Sequence, residues 1–212
     1  MDNTTNIELI EKLYAGGGLC AEEYAQLITA HTPQEAQLLY SYADALRDKY
    51  YGKDVYLRGL IEFSSYCKND CIYCGLRRSN TKAQRYRLSQ EDILECCRGG
   101  YELGYRTFVL QSGEDMHFTD DMICRIVSAI KTEFPDCAVT LSIGEKSRES
   151  YQAYFDAGAE RYLLRHETAD PLHYAKLHPP ELSAENRRRC LYDLKDIGYQ
   201  VGTGFMVGSP YQ

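Results

Sequence analysis

Three times in this chain a helical stretch ends on a glycine and steps within two residues into an apolar run. Leu103-Gly104-Tyr105-Arg106 precedes Thr107 to Leu110, Ala157-Gly158-Ala159-Glu160 precedes Arg161 to Leu164, and Ile197-Gly198-Tyr199-Gln200 precedes Val201 to Val207. A glycine at such a place takes the left-handed position that closes a helix. Repeated helix–Gly–strand units predict parallel β-α crossovers, an α/β fold. The strands are expected at Val55 to Phe63, Thr107 to Leu110, Ala138 to Ser142, Arg161 to Arg165 and Gln200 to Val207. Polar residues gather just after nearly every one, as they do at the active rim of a TIM-type (β/α) barrel. An open dinucleotide-binding sheet is the weaker choice, because no G-x-G-x-x-G follows the first strand.

Before Gly52 the pattern is helical: Ile7 to Tyr14, Ala21 to Ala30 and Pro33 to Lys49, the last opened by Thr32-Pro33-Gln34-Glu35, a capping box with proline at the first helical position. The predicted organisation is an N-terminal helical segment, residues 1–52, and a barrel domain, residues 53–212. A full barrel takes about 250 residues, and only about five β/α units fit here. The sequence therefore predicts a partial barrel, either a truncated product or one part of a split barrel, with unpaired edges on the first and fifth strands.

Cys67, Cys71 and Cys74 stand at C-x3-C-x2-C spacing in the loop after the first strand. Thiolates clustered so closely suit one face of a cubane iron–sulfur cluster, which ordinarily takes four cysteines. Three leave one iron with an open position. Structural zinc is disfavoured, since no second cysteine pair or matching His pair completes four ligands. A disulfide framework is disfavoured by an odd total of nine cysteines and by a start without a signal peptide. The other six (Cys20, Cys96, Cys97, Cys124, Cys137, Cys190) read as small core hydrophobes.

With 44% hydrophobic residues the chain can bury a core. Its net charge of −7 argues against a nucleic-acid partner, and no apolar run reaches the roughly 18 residues of a membrane span. A cytoplasmic protein is expected.

The phrases Leu57-Arg58-Gly59-Leu60-Ile61-Glu62-Phe63-Ser64, Cys71-Ile72-Tyr73-Cys74-Gly75-Leu76-Arg77-Arg78, Gln111-Ser112-Gly113-Glu114-Asp115, Leu141-Ser142-Ile143-Gly144-Glu145, Leu164-Arg165-His166-Glu167-Thr168 and Gly202-Thr203-Gly204-Phe205-Met206-Val207-Gly208 run in order along the chain. Together they resemble the radical S-adenosylmethionine enzymes, a family that includes biotin synthase-like barrels, and within it the maturases of iron-only hydrogenase. The chain departs from that pattern where Ser209 and Tyr211 flank Pro210.

The resemblance implies that Cys67, Cys71 and Cys74 hold a 4Fe-4S cluster whose open iron is chelated by S-adenosylmethionine. An electron then releases a 5′-deoxyadenosyl radical. It implies a small organometallic or amino-acid-derived substrate, an electron donor, and other hydrogenase maturation proteins or a barrel-completing chain as partners. A methylornithine synthase-like mutase and a non-catalytic iron–sulfur fragment of a split barrel are the alternatives.

By the same resemblance Ser112, Gly113 and Glu114 form the loop whose carboxylate receives the cofactor's ammonium, with Tyr73 as the aromatic beside the last cysteine. Against this stands a solvated loop acid at Glu114. Arg165 and Glu167 leave the fourth strand on one side by period-two alternation, placed for a carboxylate and for the cofactor's polar groups, or else for a mutual salt bridge. Arg187 offers a bidentate fork for the cofactor carboxylate, against a solvated helix face at Arg187-Arg188-Arg189. Ser142 and Glu145 are expected on the rim. His166 points the other way, and His117, His173 and His178 lack metal-ligand spacing. No protein side chain is assigned as catalytic.

Overall fold

The computed structural model describes residues 4–212, which divide into two compact units, one ending at Tyr56 and the other Leu57–Gln212. In the first, α1 (Asn6–Tyr14), α2 (Ala21–Ala30) and α3 (Pro33–Tyr51) surround Leu9, Ile10 and Leu27. Thr32 Oγ1 accepts from Glu35 N while Glu35 Oε2 accepts from Thr32 N, the reciprocal cap expected from the sequence. Tyr42 donates to Glu11 at 2.6 Å and stacks on Tyr14.

The second unit alternates β1 (Gly59–Ser64), α4 (Gln90–Glu102), β2 (Thr107–Ser112), α5 (Asp120–Glu133), β3 (Ala138–Ser142), α6 (Arg148–Asp156), β4 (Ala159–Leu163), α7 (Pro171–Leu177), α8 (Ala184–Ile197) and β5 (Gln200–Gly202). The strands form one parallel sheet in the order β1-β2-β3-β4-β5, an arc of a (β/α) barrel. Gly104, Gly158 and Gly198 have φ of 93°, 112° and 115°. At two of these joints the helix is closed by a six-residue bond, Tyr105 N to Gly100 O and Tyr199 N to Leu194 O.

Register sets Ile61, Leu110, Leu141 and Tyr162 side by side across four strands. That face is buried in one cluster with Ile93 and Cys97 of α4, Ile126 and Ile130 of α5, Tyr151 and Tyr154 of α6, and Leu194 of α8. The opposite face, carrying Leu60, Glu62, Gln111, Ser142 and Arg161, stays partly or fully open. The strands are therefore not buried on both sides, because five of them do not close around that face.

Strand ends differ from the sequence reading. β1 starts at Gly59 rather than Val55, since Val55, Tyr56 and Leu57 meet no partner strand and are exposed. β4 starts at Ala159 and stops at Leu163, and β5 stops at Gly202, where glycines at 202 and 204 weaken the extended run. The reading of all six dispersed cysteines as core residues also needs correction. Cys97, Cys137 and Cys190 are buried, Cys124 is half-buried, and Cys20 and Cys96 are exposed. Among the described residues no helix is long and apolar enough to cross a membrane.

Candidate cofactor site at the carboxyl end of the sheet

Between Ser64 and Ser89 the chain leaves the sheet, carries the cysteine loop, and returns to bond with the end of β1 through Ser65 N to Tyr86 O and Leu88 N to Phe63 O. The loop has no helix or strand to satisfy its carbonyls. Arg85 does so instead, with Nη1 donating to Ser65 O and Leu76 O and Nη2 to Arg77 O and Asn80 O. Ile72 N donates to Leu177 O at 3.0 Å, fastening the loop to the end of α7. The ring of Tyr73 stands beside His178, whose Nδ1 bonds to the Tyr174 carbonyl at 2.9 Å and so carries the proton. His178 Nε2 is then an acceptor for the Tyr73 hydroxyl at 3.0 Å.

Cys67, Cys71 and Cys74 face a cavity of about 250 Å³ that opens at the carboxyl ends of the strands. Its wall also includes Tyr73, Ser112, Gly113, Glu114, Ser142, Arg165, Glu167 and Arg187. Burial raises the Cys67 thiol, and burial with the neighbouring Cys67 and Cys74 pushes Cys71 up to about 11. Arg187 is the protein cation that opposes this at Cys71, and burial outweighs it. A metal centre at this place would supply the positive charge that favours the thiolates.

Glu114 sits in the wall at 6% exposure. Its Oε1 accepts from Glu145 N at 3.1 Å, whereas Oε2 is buried with no hydrogen-bond partner. Lys68 Nζ lies 3.2 Å from Oε2 but without hydrogen-bond alignment. Two glycines bring this carboxylate and the cysteines together. A β-carbon at Gly113 would run into Tyr66 O and Cys67, and one at Gly144 into the Glu114 side chain. Next to it Asp115, also 6% exposed, takes Arg87 Nε and Nη2 at 2.7 and 2.9 Å and the Ser64 hydroxyl at 2.6 Å. A buried carboxylate oxygen that accepts no hydrogen bond, in one cavity with three thiols, is a candidate acceptor for a cationic group.

Residues 61–212 match the Radical SAM superfamily. The chain belongs to this superfamily. The radical SAM chain is 49% identical over 83% of its length to the [FeFe] hydrogenase maturase subunit HydE of Thermotoga maritima, covering 50% of that protein. Among solved structures it resembles methylornithine synthase (PylB) with a TM-score of 0.84 at 30% identity, over 94% of this chain and 59% of that one. It also resembles HydG, a maturase of the [FeFe]-hydrogenase, with a TM-score of 0.86 at 25% identity, over 97% and 48%. This radical SAM chain thus spans about half the length of the relatives it matches.

Some residues stand differently from the sequence reading. Glu145 does not reach the cavity. Its Oε1 accepts from Arg187 Nε at 2.5 Å and its Oε2 from Asn186 Nδ2 at 2.5 Å. Arg187, only 7% exposed, is no solvated helix face; it donates Nη1 to Arg165 O at 2.6 Å, so two of its donor positions are spent within the protein. Arg188 and Arg189, by contrast, are exposed.

Arg165 and Glu167 do share the cavity, but strand alternation is not the cause, because β4 ends at Leu163. Glu167 turns inward through a left-handed backbone, φ 65°, fixed by Glu167 N to Gly204 O and Met206 N to Glu167 O. Burial raises its carboxyl against the opposing pull of Arg187 and Arg165. The Arg165 guanidinium makes no salt bridge with Glu167 or any other acid among the described residues, which leaves its fork free. His166 bonds to Thr203 at 3.0 Å and does not line the cavity.

Sequence reasoning passed over Lys68, Arg85 and His178. Lys68 was discoverable as a charge set inside the cysteine motif itself. His178 was not, since it meets Tyr73 across 105 residues.

Proposed function

We propose that this chain is the cofactor-binding part of a radical S-adenosylmethionine enzyme that matures the active-site cluster of iron-only hydrogenase. The observation that carries the reading is the buried Glu114 Oε2, which accepts no hydrogen bond and meets a half-exposed Lys68 ammonium, in one cavity with three free cysteines. Likeness to the maturase HydE of Thermotoga maritima narrows it to hydrogenase maturation.

In this reading Cys67, Cys71 and Cys74 hold a 4Fe-4S cluster, and Glu114 accepts the ammonium of S-adenosylmethionine as a charge-assisted hydrogen bond. Arg165, with its free fork, replaces Arg187 as the residue for the cofactor carboxylate. Arg187 instead holds Glu145 and the backbone of Arg165 in place. Glu167 addresses the cofactor's remaining polar groups, Ser112, Gly113 and Ser142 shape the wall, and Tyr73 shields one side of the cluster. When bound, cluster and S-adenosylmethionine supply the reducing and radical-forming chemistry.

The substrate is a small organometallic or amino-acid-derived molecule, the electron comes from a separate donor, and other maturation proteins receive the product. The outer edge of β5 and the uncovered start of β1 support a further partner, a segment or chain that completes the barrel. Thiolate ligands suit the reducing cytoplasm.

The test is anaerobic reconstitution with iron and sulfide, followed by electron paramagnetic resonance of the reduced protein with and without S-adenosylmethionine. A 4Fe-4S signal that shifts on adding the cofactor, and that Cys71→Ala abolishes, is the expected result. A signal indifferent to the cofactor overturns the reading. The structural likeness to methylornithine synthase keeps one competitor. Formation of 5′-deoxyadenosine with lysine, but not with an iron–cysteine complex, would choose the mutase.

A further inference from the structure

Glu114 Oε2 is closed to solvent, so a ligand reaches it only after a neighbour moves. On one side the carboxylate is held by backbone, Glu145 N on Oε1 and the close approach of Gly144. On the other stands Lys68, the cation within ion-pair distance, 3.2 Å from Oε2. Arg187 and Lys146 also face Glu114, at longer range.

Lys68 is built to move. Its side chain is 47% exposed against 7% for Glu114, and its ammonium is not aligned for a hydrogen bond. Its backbone, in contrast, is pinned, with Lys68 N donating to Glu114 O at 3.0 Å. A flexible four-carbon stem on a fixed Cα can swing its charge away without disturbing the cysteine loop.

We propose that Lys68 is a placeholder cation for Glu114, displaced by the ammonium of S-adenosylmethionine, and that this exchange sets how tightly the chain binds its cofactor. The inference rests on Glu114 being the ammonium acceptor. Lys68 is thus a positioning residue. It keeps a buried carboxylate from standing uncompensated before the cofactor arrives, and it competes for the same oxygen once the cofactor is present.

The test compares Lys68→Gln, Lys68→Met and the charge-keeping Lys68→Arg, each reconstituted anaerobically and matched for iron content. Calorimetry measures binding of S-adenosylmethionine and of 5′-methylthioadenosine, which carries neither the ammonium nor the carboxylate. The two neutral variants should bind S-adenosylmethionine roughly two- to fivefold more tightly, the range a half-exposed ion pair is worth. Their affinity for methylthioadenosine should not change, and Lys68→Arg should match the parent chain. Unchanged or weaker binding of S-adenosylmethionine by both neutral variants overturns the proposal, and so does equal tightening for both ligands. Glu114→Gln separates the two layers of argument. If it leaves S-adenosylmethionine binding intact, the acceptor assignment itself fails, whatever Lys68 does.

Discussion

Asp115 shows how one residue stiffens the site without entering it. Burial alone would raise its carboxyl, but the Arg87 guanidinium and the Ser64 hydroxyl outweigh that and hold it at about 2. An unfolded aspartate titrates near ~3.9. The folded value is the lower one, so the stabilisation is complete above about pH 4 and is lost as pH falls towards 2. Its size is on the order of 2 kcal/mol. In urea titrations the parent chain should exceed Asp115→Asn in stability at pH 6 and lose that advantage progressively below pH 4; a gap constant with pH would contradict the assignment.

At this scale legibility followed distance along the chain. The cysteines were readable because their spacing is local, and Glu114 because it follows Gly113 in a short loop. The pairing of Glu145 with Arg187, which keeps Glu145 out of the cavity wall, was not readable, because the two stand 42 residues apart and no local pattern announces it.

Among elements, the joints from helix to strand were the best-read features, since a helix that stops needs a left-handed residue whatever the tertiary context. Gly198 tests this cleanly. Its φ is 115°, and a β-carbon there would find Phe155 at an ordinary 3.5 Å, so the cost of Gly198→Ala is backbone strain alone. A loss of about 1–2 kcal/mol is expected in chemical denaturation, with secondary structure unchanged. A neutral result would mean the α8–β5 joint relaxes freely. Strand ends were read poorly. Where a strand stops depends on how far its neighbour runs beside it, as Val55 to Leu57 show by finding none.

For the whole molecule, the gathering of polar residues after each strand already pointed to one functional end, and the structure places the cysteines, Glu114, Arg165 and Glu167 there around a single cavity. The outer strands of the sheet are β1, whose end is covered by the segment Tyr86–Leu88, and β5. Leu60 on β1 is 56% exposed and Phe205, just past β5, is 65% exposed. Unpaired edges with apolar side chains associate at micromolar to millimolar concentration. Sedimentation of this chain should show mass rising with concentration, and Leu60→Lys should reduce the effect. A monomer at every concentration would mean the edge is protected.

The clasp between Tyr73 and His178 also orders events in time. During translation Tyr73, beside the last cysteine, leaves the ribosome 105 residues ahead of the histidine that steadies it. At ~5–20 residues per second that interval lasts on the order of 5–20 s. Throughout it the cysteine loop exists without the Tyr73–His178 bond, so that fastening of the loop waits until synthesis is past α7.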